Sequence, residues 1–288
     1  MDQSERFILG VPNPGSSLFE STIELLKRIG ITVSVNGRSF EGGIEGMKMF
    51  DKVFFMRPQD IPLAISKGII DCGICGWDCF VERALENKLA KIVELNYSKK
   101  SQKPVRIVVF SKLFLEVKNA GNIAITTEYP NITKKFFPDV PAENIDFSHG
   151  TTEAKVVAGM FDYGVCVTES GKSLVDNGLN IVKELLVSPT VLMAKVATPE
   201  MEGFGQMLSG ALYAKKFQLI TMNADKKAKE QIIPILPSFK SPTVNSLENG
   251  EFSISTVVEI SALANLLLKL KLLGATDIFG TDINYVIK

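Results

Sequence analysis

Hydrophobic positions along the chain form short β-rich runs that alternate with amphipathic helical stretches. The run FILGVP at 7–12 predicts a strand, and SLFESTIELL at 17–26 predicts a helix with one apolar face. The same order returns at 122–137, where NIAITTE precedes YPNITKKFF. Alternating strand and helix signals are typical of parallel sheets with helices packed against them. The pattern therefore predicts an α/β fold.

A second regularity is an internal repeat. Residues 68–75 have the sequence GIIDCGIC, and residues 159–166 have the sequence GMFDYGVC. Each copy follows a short helix-like stretch, at 62–67 and at 153–158. The repeat predicts two lobes of similar structure with a ligand cleft between them, at the carboxyl ends of the strands. The shared residues, at a constant offset of 91 (159 − 68 = 91), are Gly68/Gly159, Asp71/Asp162, Gly73/Gly164 and Cys75/Cys166.

The composition shifts after residue 197. The segment ATPEMEGFG at 197–205 predicts a linker. Beyond it the pattern predicts the end of a helix at 210–216, strands at 217–224, 252–260 and 275–287, and helices at 226–235 and 262–273. The last helix stops at Gly274, because glycine commonly terminates helices. About 80 residues of this pattern indicate a third domain, of the ferredoxin-like or small-molecule-sensing kind.

The composition argues against several classes of protein. Lys plus Arg and Asp plus Glu both total 32, whereas a nucleic-acid-binding protein normally has a basic excess. The first residues lack an apolar segment of signal-peptide length, and no window approaches the roughly 18 unbroken apolar residues of a membrane span. The four cysteines do not form a disulfide-like framework. We expect a cytoplasmic protein that binds neither nucleic acid nor membranes.

The segment VCVTESGKSL at 165–174 is the strongest local signal for a ligand site. A β-rich run leads into residues 168–173, and a helix is predicted to begin near Ser173. Backbone N–H groups in such a turn, with the positive end of the helix dipole, bind phosphate. Gly171 lets the backbone approach the ligand, and Glu169 can accept hydrogen bonds from ribose hydroxyls. Hydroxyls and a positive charge come from Thr168, Ser170, Ser173 and Lys172. A capped turn without a ligand is the alternative.

Other motifs carry less weight. GKS suggests a Walker A loop, but that motif requires glycine at position 166, which is Cys166. The segment DCGICGWDC has a metal-like spacing, yet structural zinc takes four Cys or His ligands and the chain has one His. We therefore interpret Cys72, Cys75 and Cys79 as core residues. His149 is interpreted as structural, and no set of residues indicates covalent catalysis.

Polar residues at predicted strand ends are candidates for the cleft. Trp77 and Asp78 follow a predicted strand, and Trp77 can stack on a purine there. In RPQDIP at 57–62, Arg57 lies at a strand end and Asp60 at a helix N-cap. Arg57 and Arg106 are suited to bind phosphates if they face the cleft.

Taken in order, these segments resemble the ATP phosphoribosyltransferase family in its long form, from about residue 7 to the end of the chain. The motifs are VPNPGS, RPQDIP, GIIDCGICGWDCFVE, YSKKSQKPVR, SHGTTEAK and VTESGKSLVDNGL. The later segments LSGALYAKKFQLITMN, LPSFKSPTV and LKLLGATDI resemble the regulatory domain of that family.

The resemblance implies an architecture and a reaction. It implies two lobes of the type II periplasmic-binding-protein kind, at 1–103 plus 187–203 and at 104–186, followed by an ACT-like domain at 204–288. Adenine N1 of ATP would attack C1 of phosphoribosyl pyrophosphate (PRPP) and expel pyrophosphate. Mg²⁺ would be held through that pyrophosphate and not by the protein alone. Histidine would inhibit through the C-terminal domain, and the chain would assemble as dimers and hexamers.

The resemblance also implies roles for individual residues. Catalytic roles belong to Arg57, Glu153 and Glu169. The 5′-phosphate of PRPP would bind at Thr168, Glu169, Ser170, Gly171, Lys172 and Ser173. ATP and the cleft would involve Gly15, Ser16, Asp78 and Lys155, and the effector would contact Ser241 and Thr243.

Two residues depart from the family pattern. Pro14 stands where a lysine usually precedes the turn glycine, which is Gly15 here. Cys166 replaces an acidic residue and so removes an expected ribose or magnesium contact, for which Glu169 can compensate. These departures leave open a catalytically weakened relative that binds or regulates. A cytosolic sensor or solute-binding clamshell is a second alternative, although it would need neither the TESGKS loop nor a third domain.

Overall fold

The structure is a computed structural model that describes residues 6–35, 37, 39–98, 103–113, 123–237, 239 and 241–287. The chain divides into two compact units, residues 1–205 and 206–288. In the described residues, no helix has both the length and the apolar character needed to cross a membrane.

The first unit contains two mixed sheets, of which the first has six strands. Their order is β3 (Glu41–Gly42), β5 (Phe50–Met56), β1 (Phe7–Pro12), β6 (Cys72–Gly76), β13 (Thr190–Ala194) and β7 (Ala90–Leu95). β1 is parallel to β5 and β6, whereas β13 is antiparallel to both of its neighbours. The helices of this lobe are α1 (Phe19–Arg28), α2 (Ile61–Ser66) and α3 (Trp77–Glu82), and a small ribbon is formed by β2 (Thr32–Val33) and β4 (Ile44–Glu45).

The second sheet has five strands in a matching arrangement. Their order is β10 (Ile145–Phe147), β9 (Ile125–Thr127), β11 (Tyr163–Thr168), β8 (Val105–Ser111) and β12 (Asn180–Ser188). Its helices are α4 (Pro130–Phe136), α5 (Thr152–Val157) and α6 (Lys172–Asp176). In each sheet, three parallel strands are followed by one antiparallel strand, β13 or β8, that enters from the other lobe. This is the type II periplasmic-binding-protein topology, so the predicted two-lobed fold is confirmed.

The internal repeat corresponds to equivalent local structures. Oδ2 of Asp71 accepts a hydrogen bond from the N–H of Ile8 at 2.7 Å, and Oδ2 of Asp162 accepts one from the N–H of Ala124 at 2.9 Å. Each aspartate thereby ties the strand that it precedes to the start of the parallel neighbour. The same turn ends the preceding helix in both copies, at Gly68 and Gly159, with φ of +69° and +77°.

The sheets are apolar because both of their faces are covered. Ile107 and Val109 of β8 pack into one cluster, and Val108 and Phe110 of the same strand pack into another. Successive side chains of a strand point to opposite faces, so a strand buried on both sides is a continuous apolar run. The first lobe has a corresponding core, built around residues such as Ile61, Ile65, Phe80, Val191 and Met193.

The predicted linker at 197–205 is wrong, because most of it is the start of helix α7 (Pro199–Ala214). Proline suits the first helical position, and Oγ1 of Thr198 accepts a hydrogen bond from the N–H of Met201 at 3.3 Å. Phe204 is buried, with its ring centroid 5.0 Å from that of Phe50. The glycines obscured the helical pattern. Gly205 allows close packing, since a Cβ there would lie 2.9 Å from Ile92.

The second unit is a single four-stranded sheet with helices. Its elements are β14 (Phe217–Ala224), α8 (Lys226–Ile232), β15 (Thr243–Ser246), β16 (Phe252–Glu259), α9 (Ile260–Leu272) and β17 (Thr276–Asp282). The strand order β15-β16-β14-β17, antiparallel throughout, is that of the ferredoxin-like fold. Ile220, Met222, Ile254 and Leu270 form part of its core. The third domain is therefore confirmed.

Candidate active site

The predicted phosphate loop lies at the carboxyl end of β11. The strand ends at Thr168, and α6 begins at Lys172 with Gly171 at its N-cap position. The N–H of Gly171 donates to Oγ1 of Thr168 at 2.8 Å, and the N–H of Lys172 donates to Oγ of Ser170 at 3.3 Å. Side-chain hydroxyls therefore occupy the N–H groups that a phosphate would use, and a bound phosphate must compete with them. The exposed Ser173 is the second residue of α6.

Positive charge beside the loop comes from Arg106. Arg106 on β8 pairs with Thr168 across the two strands. Its Nη2 lies 4.0 Å from the point where a Cβ of Gly171 would be, and its Nη1 donates to Oε2 of Glu184 at 3.2 Å. The sequence suggested Arg106 as a phosphate ligand if it faced the cleft. Its position beside the loop favours that hypothesis.

Glu169 has a partner from the other lobe. Oγ of Ser98 donates to Oε1 of Glu169 at 2.8 Å. Ser98 is buried and follows β7, near the first point where the chain passes between the lobes. This hydrogen bond links the loop to the crossover, so ribose hydroxyls would have to share the carboxylate with Ser98.

Two carboxylates and a thiol lie near one another at the start of α5 and at the carboxyl ends of β9 and β11. Glu153 is in the first turn of α5, and Glu128 directly follows β9. Burial, then the charge of Glu153 and that of Glu128, raise the pKa of the Cys166 thiol to about 12. Burial and then the charge of Glu153 raise the pKa of Glu128 above its ordinary value. Sequence reasoning missed Glu128, although its position at the carboxyl end of a parallel strand was a usable signal.

Lys155 is engaged in an ion pair. Its Nζ donates to Oδ2 of Asp146 at 2.9 Å, and the same oxygen accepts a hydrogen bond from Oγ1 of Thr126 at 3.2 Å. Nζ also lies 5.8 Å from the ring centroid of Phe161. A substrate group that used Lys155 would have to compete with Asp146.

In the first lobe, the structure brings the turn after β1 close to the end of β5. Pro12 and Met56 are in register, so the turn that contains Gly15 and Ser16 is a neighbour of Arg57. The Arg57 side chain is exposed. Oγ of Ser16 is buried and has no hydrogen-bond partner among the described residues. Because an unpaired buried hydroxyl is costly, a ligand that supplied its partner would be favoured at this turn.

Asp78 does not line an open cleft, which corrects the expectation for this residue, whereas Trp77 is half-buried. Asp78 is only 6% exposed, and it accepts a hydrogen bond from the hydroxyl of Ser188. Burial raises its pKa. Trp77 packs beside Phe80, with ring centroids 6.3 Å apart, and Nζ of Lys91 lies 4.7 Å from its ring centroid. Ser188 lies at the end of β12, where the chain returns to the first lobe and covers Asp78.

A second link between the lobes involves Glu82, the last residue of α3. Its two carboxylate oxygens accept hydrogen bonds from the N–H groups of Asn131 and Ile132, at 2.9 Å each. Nδ2 of Asn131 donates to the carbonyl of Glu82, also at 2.9 Å. Glu82 thereby caps the first turn of α4 from the opposite lobe.

Comparisons with known proteins agree with this architecture. A family model described as HisG, ATP phosphoribosyltransferase, matches residues 57–212, and one for the HisG C-terminal domain matches residues 214–285. The chain is 33% identical over 287 residues to ATP phosphoribosyltransferase 1 of Geobacter sulfurreducens, covering 95% of this chain and 97% of the relative. It is 32% identical to the ATP phosphoribosyltransferase of Desulforudis audaxviator, covering 97% and 98% of the two chains.

The chain belongs to the ATP phosphoribosyltransferase family. A solved structure of the ATP phosphoribosyl transferase (HisG:HisZ) complex from Thermotoga maritima is similar, with a TM-score of 0.53 and 26% identity. That similarity covers 66% of this chain and 87% of the other. The family inferred from the sequence motifs is thus confirmed.

The remaining candidates are the cysteines, His149 and the two residues of the C-terminal domain. The thiols of all four cysteines are buried and free. Within the described ranges, no three or more His, Cys, Asp or Glu side chains are grouped so that they could hold a metal ion. His149 is exposed, and its ring contacts Phe147 with centroids 4.8 Å apart. In the C-terminal domain of this family member, Ser241 and Thr243 are exposed, and Thr243 begins β15.

Proposed function

We propose that this chain transfers the phosphoribosyl group of PRPP to N1 of ATP, which gives phosphoribosyl-ATP and pyrophosphate. Its family and the near full-length similarity to ATP phosphoribosyltransferases support the proposal. The observation that carries it is the loop of residues 168–173 at the end of β11, which has Arg106 beside it and follows Cys166, near the carboxylates of Glu153 and Glu128. These groups suit a phosphate and a sugar.

We propose a division of labour between the lobes. The lobe of residues 104–186 binds PRPP, with its 5′-phosphate on the N–H groups and hydroxyls of residues 168–173 and the charges of Lys172 and Arg106. The lobe of residues 1–103 plus 187–203 binds ATP through the turn at Gly15 and Ser16, near Arg57. The buried hydroxyl of Ser16 supports this role. Residues 204–288 form the regulatory domain.

The proposed mechanism relies on positioning and charge, without a protein nucleophile. The lone pair of adenine N1 forms a bond to C1 of the ribose, while the bond from C1 to the pyrophosphate oxygen breaks and its electron pair leaves with pyrophosphate. Positive charge that develops at C1 is stabilised by the carboxylates of Glu153 and Glu169. Arg57 stabilises the negative charge of the departing pyrophosphate.

We propose that Mg²⁺ takes part as the partner of the pyrophosphate group. Hard cations prefer oxygen ligands, and Mg²⁺ is usually held by substrate phosphates with one or two carboxylates. Glu153, in the first turn of α5, offers such a carboxylate, while the described residues provide no group of three or more metal-binding side chains. The metal, when bound, neutralises the charge of the leaving group.

We further propose that the protein acts in the cytoplasm and assembles as dimers and hexamers of this chain, with histidine as an inhibitor bound by the C-terminal domain. The related Thermotoga structure is a complex, which supports assembly into oligomers. Ser241 and Thr243 are the proposed effector contacts, because both are exposed.

The test is incubation of the purified full chain with ATP, PRPP and Mg²⁺, following the ultraviolet absorbance of phosphoribosyl-ATP. We expect a change that requires all three components and that pyrophosphatase drives further. An unchanged absorbance in the presence of all three would contradict the proposal. If calorimetry detects PRPP binding but no turnover occurs, the alternative is favoured that the chain is a catalytically weakened relative that binds or regulates. The neutral Cys166 and Pro14 support that alternative.

A further inference from the structure

Glu128 is level with Cys166 on the neighbouring strand. β9 and β11 are parallel, with Thr127 opposite Val165. The next residues, Glu128 and Cys166, therefore emerge side by side, about 4.8 Å apart at the usual strand spacing. Cys166 is buried, and its thiol carries no charge at neutral pH, as is usual for cysteine; burial raises its pKa further, to about 12. This pair of strand ends presents one carboxylate and one neutral thiol.

The same location suits the sugar of a bound phosphoribosyl group. The phosphate loop begins at Thr168, two residues beyond Cys166, which is about 7 Å along a strand and comparable to the length of a ribose 5-phosphate. Glu128 also borders a small cavity between the lobes, which is lined in addition by Gln59, Cys79, Glu82, Arg83 and Tyr129. The strand spacing, and not this cavity, would bring the ring hydroxyls of a sugar anchored by its phosphate on the loop within reach of Glu128.

We propose that Glu128 binds PRPP by accepting hydrogen bonds from its ribose hydroxyls, and so supplies from the neighbouring strand the carboxylate that position 166 lacks. An ionised carboxylate offers only acceptors, which match hydroxyl donors, and acidic side chains serve this role for ribose in other nucleotide sites. The neutral Cys166 belongs to the arrangement, because a third carboxylate beside Glu128 and Glu153 would be repelled. This inference rests on the proposed function.

The primary test compares Glu128→Gln and Glu128→Ala with Glu143→Gln, an exposed acidic residue of the same lobe. Loss of hydrogen bonds to a charged acceptor should raise KM for PRPP by roughly 10- to 100-fold in the Glu128 variants. KM for ATP should change by less than about threefold. Glu143→Gln should have the kinetics of the unchanged chain. An unaltered KM for PRPP in both Glu128 variants would overturn the proposal.

Two further measurements separate a ribose contact from a purely structural role. Inhibition constants are measured for ribose 5-phosphate and its 2-deoxy and 3-deoxy analogues. The unchanged chain should prefer ribose 5-phosphate to at least one analogue by about tenfold, and Glu128→Gln should lose that preference. When Cys166→Asp is added to Glu128→Gln, it should lower the raised KM for PRPP by at least tenfold. Weakened binding that keeps the sugar preference and lacks rescue would contradict the proposal.

The outcomes also distinguish this inference from the proposed function. A chain that forms no phosphoribosyl-ATP would refute the function itself, whereas an active chain with unaffected Glu128 variants would refute only the role of Glu128. If Glu128→Gln and Glu128→Ala fail to fold, Glu128→Asp provides the test. It keeps the charge and shortens the side chain, so it should raise KM for PRPP and leave KM for ATP nearly unchanged. An unaltered KM for PRPP would then count against the proposal.

Discussion

Two glycines at opposite ends of α6 share a backbone conformation and differ in their surroundings. Gly171 has φ of +76° and Gly178 has φ of +68°. A Cβ at position 171 would lie 3.1 Å from Cδ1 of Ile181, whereas one at position 178 would meet nothing within 4 Å. An L residue in the left-handed region costs roughly 1–2 kcal/mol. Only Gly171 belongs to the proposed phosphate loop, residues 168–173.

Gly171→Ala should therefore raise KM for PRPP by about 10-fold or more, because the new methyl group displaces N–H groups that bind the phosphate. The free energy of unfolding should fall by about 1–2 kcal/mol in both Gly171→Ala and Gly178→Ala. Gly178→Ala is the matched control, with a strained backbone and an unchanged KM. Urea denaturation and steady-state kinetics provide the measurements. Equal KM values in the two variants would show that the loop does not bind PRPP through its backbone.

Single residues show where sequence reasoning succeeds and where it fails. Thr168 and Arg57 each follow a long β-rich run, so their location at strand ends was predictable. Glu128 follows a strand of only three residues and belongs to none of the motifs, so it was missed although its position at a strand end was a usable signal. The burial of Asp78 depends on Ser188, a partner 110 positions away, and hydrophobic patterning carries no information about such a contact.

At the scale of elements, helix ends account for both the correct and the incorrect predictions. Gly274, with φ of +92°, ends α9 as its glycine signal predicted. The start of α7 was mistaken for a linker because Gly203 and Gly205 dilute its apolar pattern. The helix forms nonetheless, since tertiary packing of residues such as Phe204 outweighs the modest penalty of glycine in a helix, about 1 kcal/mol each.

The cap that α3 provides for α4 leads to a prediction about the contact between the lobes. Glu82→Ala removes two hydrogen bonds to the N–H groups of Asn131 and Ile132. Loss of an N-cap typically costs about 0.5–2 kcal/mol, and we expect the free energy of unfolding to fall by that amount. Glu143→Ala, an exposed residue of the second lobe, should have little effect. Chemical denaturation measures both variants, and equal stabilities would refute the cap.

The pH dependence of the same contact has a definite sign. Burial raises the pKa of Glu82, while the N–H groups of Asn131 and Ile132 lower it less. A carboxyl group whose folded pKa is raised contributes stability below its unfolded pKa and loses it as pH rises through the folded value. The free energy of unfolding of the unchanged chain, measured relative to that of Glu82→Gln, should therefore increase as the pH is lowered from 7. A shift in the opposite direction would show that hydrogen bonding outweighs burial.

At the scale of the whole molecule, the two segments where the chain passes between the lobes make hydrogen bonds to residues of the candidate active site. Oγ of Ser98, which follows β7, donates a hydrogen bond to Glu169 of the proposed phosphate loop. Oγ of Ser188, at the end of β12, donates a hydrogen bond to Asp78. Ligand-dependent closure of such lobes moves a few residues at the crossovers. The duplicated topology was predictable from an eight-residue repeat, because its aspartates and glycines perform the same backbone tasks twice. The hydrogen bonds that join the lobes were not predictable, since each depends on residues far apart in sequence.

The last prediction concerns histidine as the effector of the C-terminal domain. Histidine can inhibit only if it binds one state of the enzyme more tightly than another, because equal affinity shifts no equilibrium. By reciprocity, saturating PRPP in the absence of ATP should weaken histidine binding by the factor by which histidine weakens PRPP binding, commonly ~5–150-fold. Calorimetric titration of the full chain, with histidine in the presence and absence of PRPP and with PRPP in the presence and absence of histidine, measures both factors. Shortening the chain at residue 197 is unsuitable, because it would remove Phe204 from its contact with Phe50.

Substitutions at the proposed effector site test where histidine binds in the full chain. Thr243→Val removes the hydroxyl of an exposed residue at the start of β15 and nearly preserves its volume. Loss of one hydrogen bond should weaken histidine binding about 3- to 10-fold. Ser246→Ala, at the exposed far end of the same strand, is the matched control and should bind histidine normally. Activity without histidine should be unchanged in both variants, since neither residue belongs to the proposed catalytic lobes. No heat of binding at millimolar histidine, or the same histidine affinity with and without PRPP, would show that the C-terminal domain is not a histidine sensor linked to the active site.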